Sequence, residues 1–419
     1  MKWLKSLVLL GALVFVPGCA SLFQKRVNYE IEPLYSVRDP QFLRSMGQLL
    51  GPQILPGNRT TGLINGDEIF PAMLEAIRGA QKTINFETYI YWSGEIGDEF
   101  AKALAERARA GVKVHLLLDW LGAGRIASGS VQEMEEAGVE IQRYHPLHWF
   151  NLSRINHRTH RKLLIVDGQI GFTGGVGIAD LWMGNAQDTD HWRDSHFRLE
   201  GPAVAQMQAA FIDNWLKTQP EVLHSEEYFP FLKTVGQDYA QVFMSSPREG
   251  SESIRLMYLL SIAAARKNIR LSAAYFIPDQ LARKQLVAAR ERGVEVEIIL
   301  PGSNTDSKLV RYASRGDWGD LLKAGVKIYE YNPTMYHCKV MIVDDVWVSV
   351  GSANFDTRSF RLNDEANLNV FSTAFAAKQI AVFEEDKSKS HQISFARWKK
   401  RSVWKQVKES FCNLFRSQL

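Results

Sequence analysis

Apolar and polar positions along the chain follow two periods, one of about two residues and one of about 3.6 residues. The first is typical of strands and the second of amphipathic helices. In the first part of the chain they predict helices at residues 72–80, 97–110 and 131–137, and strands at residues 83–91, 112–119 and 138–144. Strands that alternate with helices favour an α/β fold with mixed sheets.

The same order of elements returns in the second part of the chain. There the pattern predicts helices at residues 253–266, 280–292 and 316–324, and strands at residues 269–277, 294–300 and 326–331. Because this repeat is far longer than the unit of a solenoid, it indicates a duplicated α/β half. We predict an N-terminal half over residues 59–240 and a C-terminal half over residues 241–394, with a loop at residues 245–251 near the boundary.

The N-terminal segment has the pattern of an export signal. Residues 1–19 carry Lys2 and Lys5 before a short apolar stretch and end at Cys19. This order is typical of a bacterial lipoprotein signal, with an uncleaved anchor helix as the alternative. We therefore expect lipidation of Cys19 and a membrane-anchored lipoprotein in the bacterial cell envelope, facing the periplasm or the exterior.

Two further segments differ from the halves in character. Residues 20–58 contain four prolines and little periodicity, which predicts a tether and an irregular lead-in. Residues 395–419 combine apolar positions at helical spacing with seven Lys and Arg against one Glu, which predicts a basic amphipathic helix. That helix either packs on the body with its basic face in water or contacts anionic lipid headgroups.

One motif, H-x-K-x-x-x-x-D, occurs in both halves. Its members are His160, Lys162 and Asp167 in the first copy, and His337, Lys339 and Asp344 in the second. Each histidine projects with its lysine, because residues two apart in a strand share a face. Two imidazoles and two ammonium groups around one point are suited to the cleavage of a phosphodiester. One histidine would attack phosphorus, the other would protonate the leaving oxygen, and the lysines would hold the non-bridging oxygens. We predict that these motifs are catalytic and that their aspartates, out of phase with the histidines, fix turns.

The paired motif resembles the catalytic signature of the phospholipase D superfamily, and the blocks at residues 191–204 and 354–365 resemble its bacterial cardiolipin synthase branch. The resemblance implies two phospholipase D-like α/β sandwich halves with mixed sheets about a pseudo-twofold axis. It places the active site at the interface between the halves. It also implies a covalent phosphatidyl-histidine on His160, with His337 as the acid, and no cofactor.

The same resemblance assigns further site residues. Asp194 and Glu365 are expected to orient the histidine of the opposite motif, with surface ion pairs as the alternative. Gly175, Ser352 and Asn354 are expected to bind the substrate phosphate. The chain departs from the family pattern at Gly177, where an asparagine is usual, so one phosphate contact differs between the two halves.

Amino-acid composition excludes some kinds of site but does not indicate a function. A formal net charge of +4 fits anionic lipid or nucleic acid equally. Three cysteines exclude a disulfide framework, and strand alternation turns Cys338 into the core. The histidines at residues 145, 148, 157 and 160 fit no zinc spacing, so we expect no metal site.

These observations favour an enzyme that transfers a phosphatidyl group from one phospholipid, phosphatidylglycerol or similar, to the hydroxyl of another. Hydrolysis with water as the acceptor uses the same chemistry and is the first alternative. The predicted export signal disfavours a nuclease of the superfamily, and the two intact motifs disfavour a non-catalytic lipid-binding protein. We expect phospholipids and a membrane surface as partners and no nucleic acid, while the oligomeric state stays open.

Overall fold

A fifteen-stranded mixed sheet runs through residues 29–145, 157–246 and 252–416, the parts of the chain that this computed structural model describes. The strands of the first half are β1 (Leu55–Ile64), β2 (Thr83–Thr88), β3 (Lys113–Asp119), β4 (Glu140–Tyr144), β5 (Leu163–Val166), β6 (Ile170–Gly174) and β7 (Ser195–Glu200). Those of the second half are β8 (Asp238–Ser245), β9 (Asn268–Ala273), β10 (Phe276–Ile277), β11 (Glu295–Pro301), β12 (Lys327–Tyr331), β13 (Lys339–Val343), β14 (Trp347–Gly351), β15 (Phe355–Asp356), β16 (Glu365–Phe371) and β17 (Ser390–Ile393). Strands β10 and β15 pair with each other in a separate two-stranded sheet, and the other strands form the fifteen-stranded one.

Helices cover this sheet. In the first half they are α1 (Pro40–Ser45), a π-helical turn (Met46–Leu50), α2 (Asn65–Gly79), α3 (Glu95–Arg109), α4 (Ser128–Glu136), a 3-10 turn (Asp180–Trp182) and α5 (Val204–Trp215). In the second half they are α6 (Ser253–Ala264), α7 (Gln280–Glu291), α8 (Lys308–Gly316), α9 (Trp318–Lys323), α10 (Thr357–Arg361), α11 (Thr373–Ser388), α12 (Phe395–Lys399) and α13 (Val403–Asn413). Their apolar stripes face the sheet, as Phe100 and Leu104 of α3 do, four residues apart and fully buried.

The strand order is the same in both halves. It runs β1-β7-β6-β5-β2-β3-β4 in the first half and β8-β16-β14-β13-β9-β11-β12 in the second. Strands β2, β3 and β4 are parallel, as are β9, β11 and β12, and the other neighbours within each half are antiparallel. The halves join where β1 pairs with β8. The mixed α/β fold predicted from the alternating pattern is confirmed.

A shared apolar core fixes the two motif strands relative to each other. Leu163 and Ile165 of β5 lie in the same buried cluster as Val340 and Ile342 of β13. The alternate positions of both strands face the separate core of their own half. Each such buried side chain stabilises the fold by about 1.5–3 kcal/mol. The shared cluster therefore holds the ends of β5 and β13, where the motifs lie, in one geometry.

The lead-in is more ordered than the tether that the prolines predicted. Val37, Phe42 and Met46 are fully buried in the core of the second half, with the Phe42 ring 4.9 Å from that of Trp347. Strand β1 then begins at Leu55 and occupies the centre of the sheet. The described part of residues 20–58 therefore belongs to the fold, because its sparse apolar residues are held by tertiary packing that local periodicity does not reveal.

The tail also differs from the single predicted helix. It forms two helices, α12 and α13, with a break at Arg401 and Ser402. A helix that the pattern did not predict, α8, lies beside α13 and packs against it. The predicted half boundary is partly outside the described residues, since these omit residues 247–251.

Candidate active site

Both H-x-K motifs lie at the start of a buried strand. His160 and Lys162 immediately precede β5, and His337 and Lys339 stand at the start of β13. All four side chains are at least nine-tenths buried. The lysines bind back to their own motifs: the Lys162 Nζ donates to the His160 carbonyl at 3.0 Å, and the Lys339 Nζ donates to the His337 carbonyl at 2.7 Å.

Each motif enters the site along a segment of the opposite half. Thr159 forms a parallel bridge with Asp364, and the His160 N–H donates to the Asp364 carbonyl at 2.8 Å. In the symmetry-related place, Tyr336 bridges Arg193, and the His337 N–H donates to the Arg193 carbonyl at 2.8 Å. The residue after each bridge partner is an acid. Backbone pairing therefore places the acid of one half beside the histidine of the other.

The crossed pairs are direct hydrogen bonds. The Nδ1 of His160 lies 3.0 Å from both carboxylate oxygens of Glu365, and the Nδ1 of His337 lies 2.7 Å from Oδ2 of Asp194. Burial opposes ionisation of Glu365, but His160 and Lys162 outweigh it and lower the pKa of this acid to about 2. Because an ionised carboxylate only accepts, each Nδ1 is the donor and each Nε2 presents a lone pair or a second proton to the cleft.

Further hydrogen bonds hold the two acids in place. The Ser352 hydroxyl donates to Oε2 of Glu365 at 2.5 Å. Asp194 accepts from the Trp182 indole N–H at 3.0 Å and from the Ser195 backbone N–H at 2.8 Å. A side chain at Gly175 would put its Cβ 2.1 Å from Oδ1 of Asp194. The predicted phosphate-binding Gly175 and Ser352 thus contact the acids, an arrangement that sequence reasoning missed.

The cations of the two motifs interact across the site. Burial lowers the pKa of His160 to about 4, with Lys162 and Lys339 adding to the effect and Glu365 opposing it. Burial and then Lys339 lower the pKa of Lys162 to about 7. Burial and then Lys339 also lower the pKa of His337, and burial lowers the pKa of Lys339. A bound phosphate anion would relieve this repulsion, so the site is suited to an anion with its charge between the lysines.

Aromatic rings wall both histidines. The Tyr89 ring lies 5.2 Å from the His160 ring, and those of Trp182 and Trp192 lie 5.5 and 5.4 Å from the His337 ring. Sequence reasoning did not select these aromatic residues, although Trp192 stands two positions before Asp194 in the block that carries the resemblance. Rings at these distances restrict imidazole rotation and limit the access of water to both imidazoles.

The asparagine positions of the two copies are not equivalent. Asn354 is 3% exposed, its backbone N–H donates to the Ser359 hydroxyl at 3.1 Å, and its side-chain Oδ1 is buried with no partner among the described residues. At Gly177 an added Cβ would meet the Cβ of Ile90 at 2.7 Å. The first half therefore has no space for the usual asparagine at this position, and the two copies of the motif differ here.

The structure places the motif aspartates at turns, out of reach of the histidines. Asp167 accepts from the backbone N–H groups of residues 81, 82 and 83, and Asp344 accepts from those of residues 266, 267 and 268. Both have positive φ angles, 52° and 50°. Each carboxylate therefore has the contacts of a turn-fixing residue, because its oxygens accept from the backbone that precedes β2 or β9.

Replacing Asp344 with alanine is expected to lower the free energy of unfolding by about 2–4 kcal/mol, because three backbone N–H groups lose their charged acceptor. Activity per folded molecule should stay near that of the wild type. Denaturant unfolding and specific activity on the same preparation check both values, with the exposed Asp67→Ala as the control. A stable but inactive Asp344→Ala protein would return this residue to the catalytic set.

Comparison with known proteins decides the family. The family model described as cardiolipin synthase, PLD-like domain, matches residues 73–215 and 258–387, which is more than half of the chain. The chain belongs to this phospholipase D-like family. Cardiolipin synthase 1 of Bacillus cereus is 37% identical over 85% of this chain and 72% of that protein. Cardiolipin synthase 2 of Bacillus anthracis is 35% identical over 91% and 75%.

Solved structures show the same fold. Phosphatidylserine synthase of Haemophilus influenzae aligns with a TM-score of 0.67 at 14% identity, covering 90% of this chain and 100% of that chain. Polyphosphate kinase of Porphyromonas gingivalis aligns with a TM-score of 0.55 at 14% identity, covering 95% and 58%. The predicted fold of two phospholipase D-like halves is confirmed, and family membership makes the chain a phosphatidyltransferase of the phospholipase D superfamily.

The predicted localisation, a membrane-anchored lipoprotein of the cell envelope facing the periplasm or exterior, is wrong. The relatives from Bacillus are cardiolipin synthases, and similarity to them shows neither a signal peptide nor a lipoprotein anchor. The predicted signal at residues 1–19, with Cys19, lies outside the described residues. Across residues 29–145, 157–246 and 252–416, no helix has the length and apolar character to cross a bilayer.

Proposed function

We propose that this phosphatidyltransferase makes cardiolipin, moving the phosphatidyl group of one phosphatidylglycerol to a glycerol hydroxyl of another through a covalent intermediate on His160. The names of its relatives support the product. The two crossed histidine–acid pairs support the two-step chemistry, because they supply one nucleophile and one proton carrier that are each oriented by a buried carboxylate.

In the first step, Nε2 of His160 attacks phosphorus and the bond from phosphorus to the headgroup glycerol oxygen breaks. The Nε2 proton of His337 passes to that oxygen, and glycerol leaves. Lys162 and Lys339 stabilise the charge on the non-bridging oxygens. We assign the nucleophile to His160 by the family resemblance, since both histidines have an equivalent carboxylate on Nδ1.

In the second step, the hydroxyl of the acceptor lipid gives its proton to the now neutral His337 and attacks phosphorus. The phosphorus–nitrogen bond breaks, and His160 returns to its starting state. Water in place of the acceptor would give phosphatidic acid by the same route. The aromatic walls at Tyr89, Trp182 and Trp192 favour the lipid acceptor over water by limiting solvent access.

The pH dependence of this reaction follows from the buried histidines. Attack needs neutral His160, whose pKa of about 4 means that the active form is lost only as the pH falls below that value. Leaving-group protonation needs charged His337, and burial lowers its pKa, so this form is lost as the pH rises. We expect a bell-shaped kcat/KM profile with limbs that belong to the coupled pair.

Bound phosphate should raise the pKa of His337, so the alkaline limb of kcat is expected at a higher pH than that of kcat/KM. Initial rates with saturating and limiting substrate between about pH 4 and 9 measure both profiles. A rate that does not change with pH over this range would contradict the acid role of His337.

The reaction itself is tested with purified full chain and vesicles of phosphatidylglycerol, with lipid products separated and identified by mass spectrometry. Cardiolipin and free glycerol in equal amounts are expected from the wild type, with neither from His160→Ala. Added EDTA should leave the rate unchanged, because lysines neutralise the phosphate. Phosphatidic acid as the main product would make the protein a hydrolase, and cleavage of DNA without lipid turnover would make it a nuclease.

A further inference from the structure

The apolar face of the tail helix α13 points away from the protein. Its large side chains Val403, Trp404 and Leu414 are 72%, 78% and 74% exposed, and they share one side of the helix with three further exposed residues. We call this surface the apolar tail face, formed by Val403, Trp404, Val407, Phe411, Leu414 and Phe415. Soluble proteins rarely leave so many adjacent large apolar side chains in water.

The opposite side of α13 attaches the helix to the body. Glu409 and Cys412 are buried there, and Glu409 binds Arg401. The Asn413 side chain donates to Asp317 at 3.1 Å, and the helix packs along α8. A helix that served only as packing would turn its apolar stripe inward. Polar contacts here hold the stripe outward, so the simpler prediction of a packed helix with its basic face in water does not describe α13, although Phe395 and Trp398 of α12 do pack on the body.

Exposed cations accompany the apolar tail face on the same segment of the chain. Lys399, Lys400, Lys405 and Lys408 are exposed, and no ion pair is found for any of them within residues 29–145, 157–246 and 252–416. The whole tail carries seven Lys and Arg against one Glu. Exposed aromatic and aliphatic side chains beside unpaired lysines are complementary to the acyl boundary and the headgroups of an anionic bilayer.

The tail also lies next to the catalytic cleft. Cys412 of α13 shares a small apolar cluster with Ile277 of β10, and Tyr275 packs against that cluster. The Tyr275 ring in turn lies 6.5 Å from the His337 ring. Beyond the helix, Arg416 donates to the Pro278 carbonyl at 3.1 Å. The body-facing side of α13 is therefore connected to the active site through this cluster and Tyr275, while the apolar tail face lies on the far side of the helix.

We propose that the apolar tail face inserts into the surface of an anionic phospholipid bilayer, with the exposed lysines of the tail on lipid phosphates. The lipid is both the docking surface and the source of substrate, which limits the distance that a phosphatidylglycerol molecule must travel out of the bilayer. Membrane binding through the tail is independent of the reaction proposed above, so either proposal can fail without the other.

The test compares the double variant Trp404→Ser/Phe411→Ser with the wild type in flotation assays, using full chain and vesicles of phosphatidylglycerol and phosphatidylcholine. Binding is expected to fall at least about tenfold, because two interfacial anchors are lost. Leu34→Ser/Phe231→Ser is the matched control, since these residues are at least as exposed, on average, but lie outside the tail. Wild-type binding should also weaken in pure phosphatidylcholine and at high salt.

Turnover of a short-chain phosphatidylglycerol dissolved as monomers should be the same in the variant and the wild type, which shows that the variant is folded and that the reaction is intact. Unchanged vesicle binding by the variant would overturn the proposal. A wild-type dimer that the variant converts to monomers, with vesicle binding retained, would also overturn it and assign the face to a second copy of this chain.

Discussion

Alanine in place of His160 is expected to reduce phosphatidyl transfer by at least about 10⁴-fold, because the proposed nucleophile is lost. The imidazole is at least nine-tenths buried, is fixed on Nδ1 by Glu365, and is walled by Tyr89. Its removal leaves a cavity in a rigid region, so circular dichroism and thermal unfolding accompany the rate measurement. The exposed His224→Ala variant is the control and should retain full activity.

Alanine in place of His337 is expected to have a different signature. Transfer from phosphatidylglycerol should again be lost, because the departing alkoxide needs a proton. A substrate with a leaving group of low pKa, such as phosphatidyl-p-nitrophenol, needs none, so this variant should still release one equivalent of p-nitrophenol. His160→Ala should release none. Equal loss with both substrates in both variants would contradict the division of roles.

The second large effect is expected from the buried acids. Glu365→Gln and Asp194→Asn should each lower the rate by about 10²–10⁴-fold, because an amide can reverse the imidazole tautomer and no longer stabilises the imidazolium. Each substitution acts on the histidine of the other half. Asp188→Asn is a matched control, since Asp188 also binds a histidine, His191 at 2.6 Å, but on the surface.

The pH profiles of the two acid variants show whether each acid positions its histidine or only stabilises the fold. Asp194 favours the charged form of His337, so Asp194→Asn should lower the pKa of His337 further and move the alkaline limb to lower pH. Glu365→Gln should lower the pKa of His160 and move the acid limb to lower pH. Reduced rates with both limbs unchanged would show that the acids act only as packing.

Local sequence patterns predicted those parts of the fold that depend on one strand or helix. Alternation placed His160 with Lys162, and the alternating order placed most helices and strands. Strand β1 and the buried Phe42 were missed because their partners lie far along the chain. The tail also shows what local periodicity does not predict. Its spacing predicted an amphipathic helix, but the choice of the buried face depends on the packing of Glu409 and Cys412 against the neighbouring α8.

The sequence was enough to select the residues of the candidate site, but not to predict which of them contact each other. The motif identified both histidines and lysines, and the resemblance pointed to Asp194 and Glu365. The backbone bridges that cross between the halves, Thr159 to Asp364 and Arg193 to Tyr336, have no local signal, because pairing of two short extended segments needs the assembled sheet. The roles of Gly175 and Ser352 depend on that crossing and could not be read from either copy alone.

The central claim, a covalent phosphatidyl-histidine on His160, is tested most directly by mass spectrometry of the trapped intermediate. His337→Ala is mixed with phosphatidyl-p-nitrophenol, quenched with denaturant at neutral pH to preserve the acid-labile phosphorus–nitrogen bond, and digested. The predicted result is one phosphatidyl group per chain on the peptide that contains His160, formed at the rate of the p-nitrophenol burst. An adduct on another residue, or p-nitrophenol release without any adduct, would contradict the mechanism.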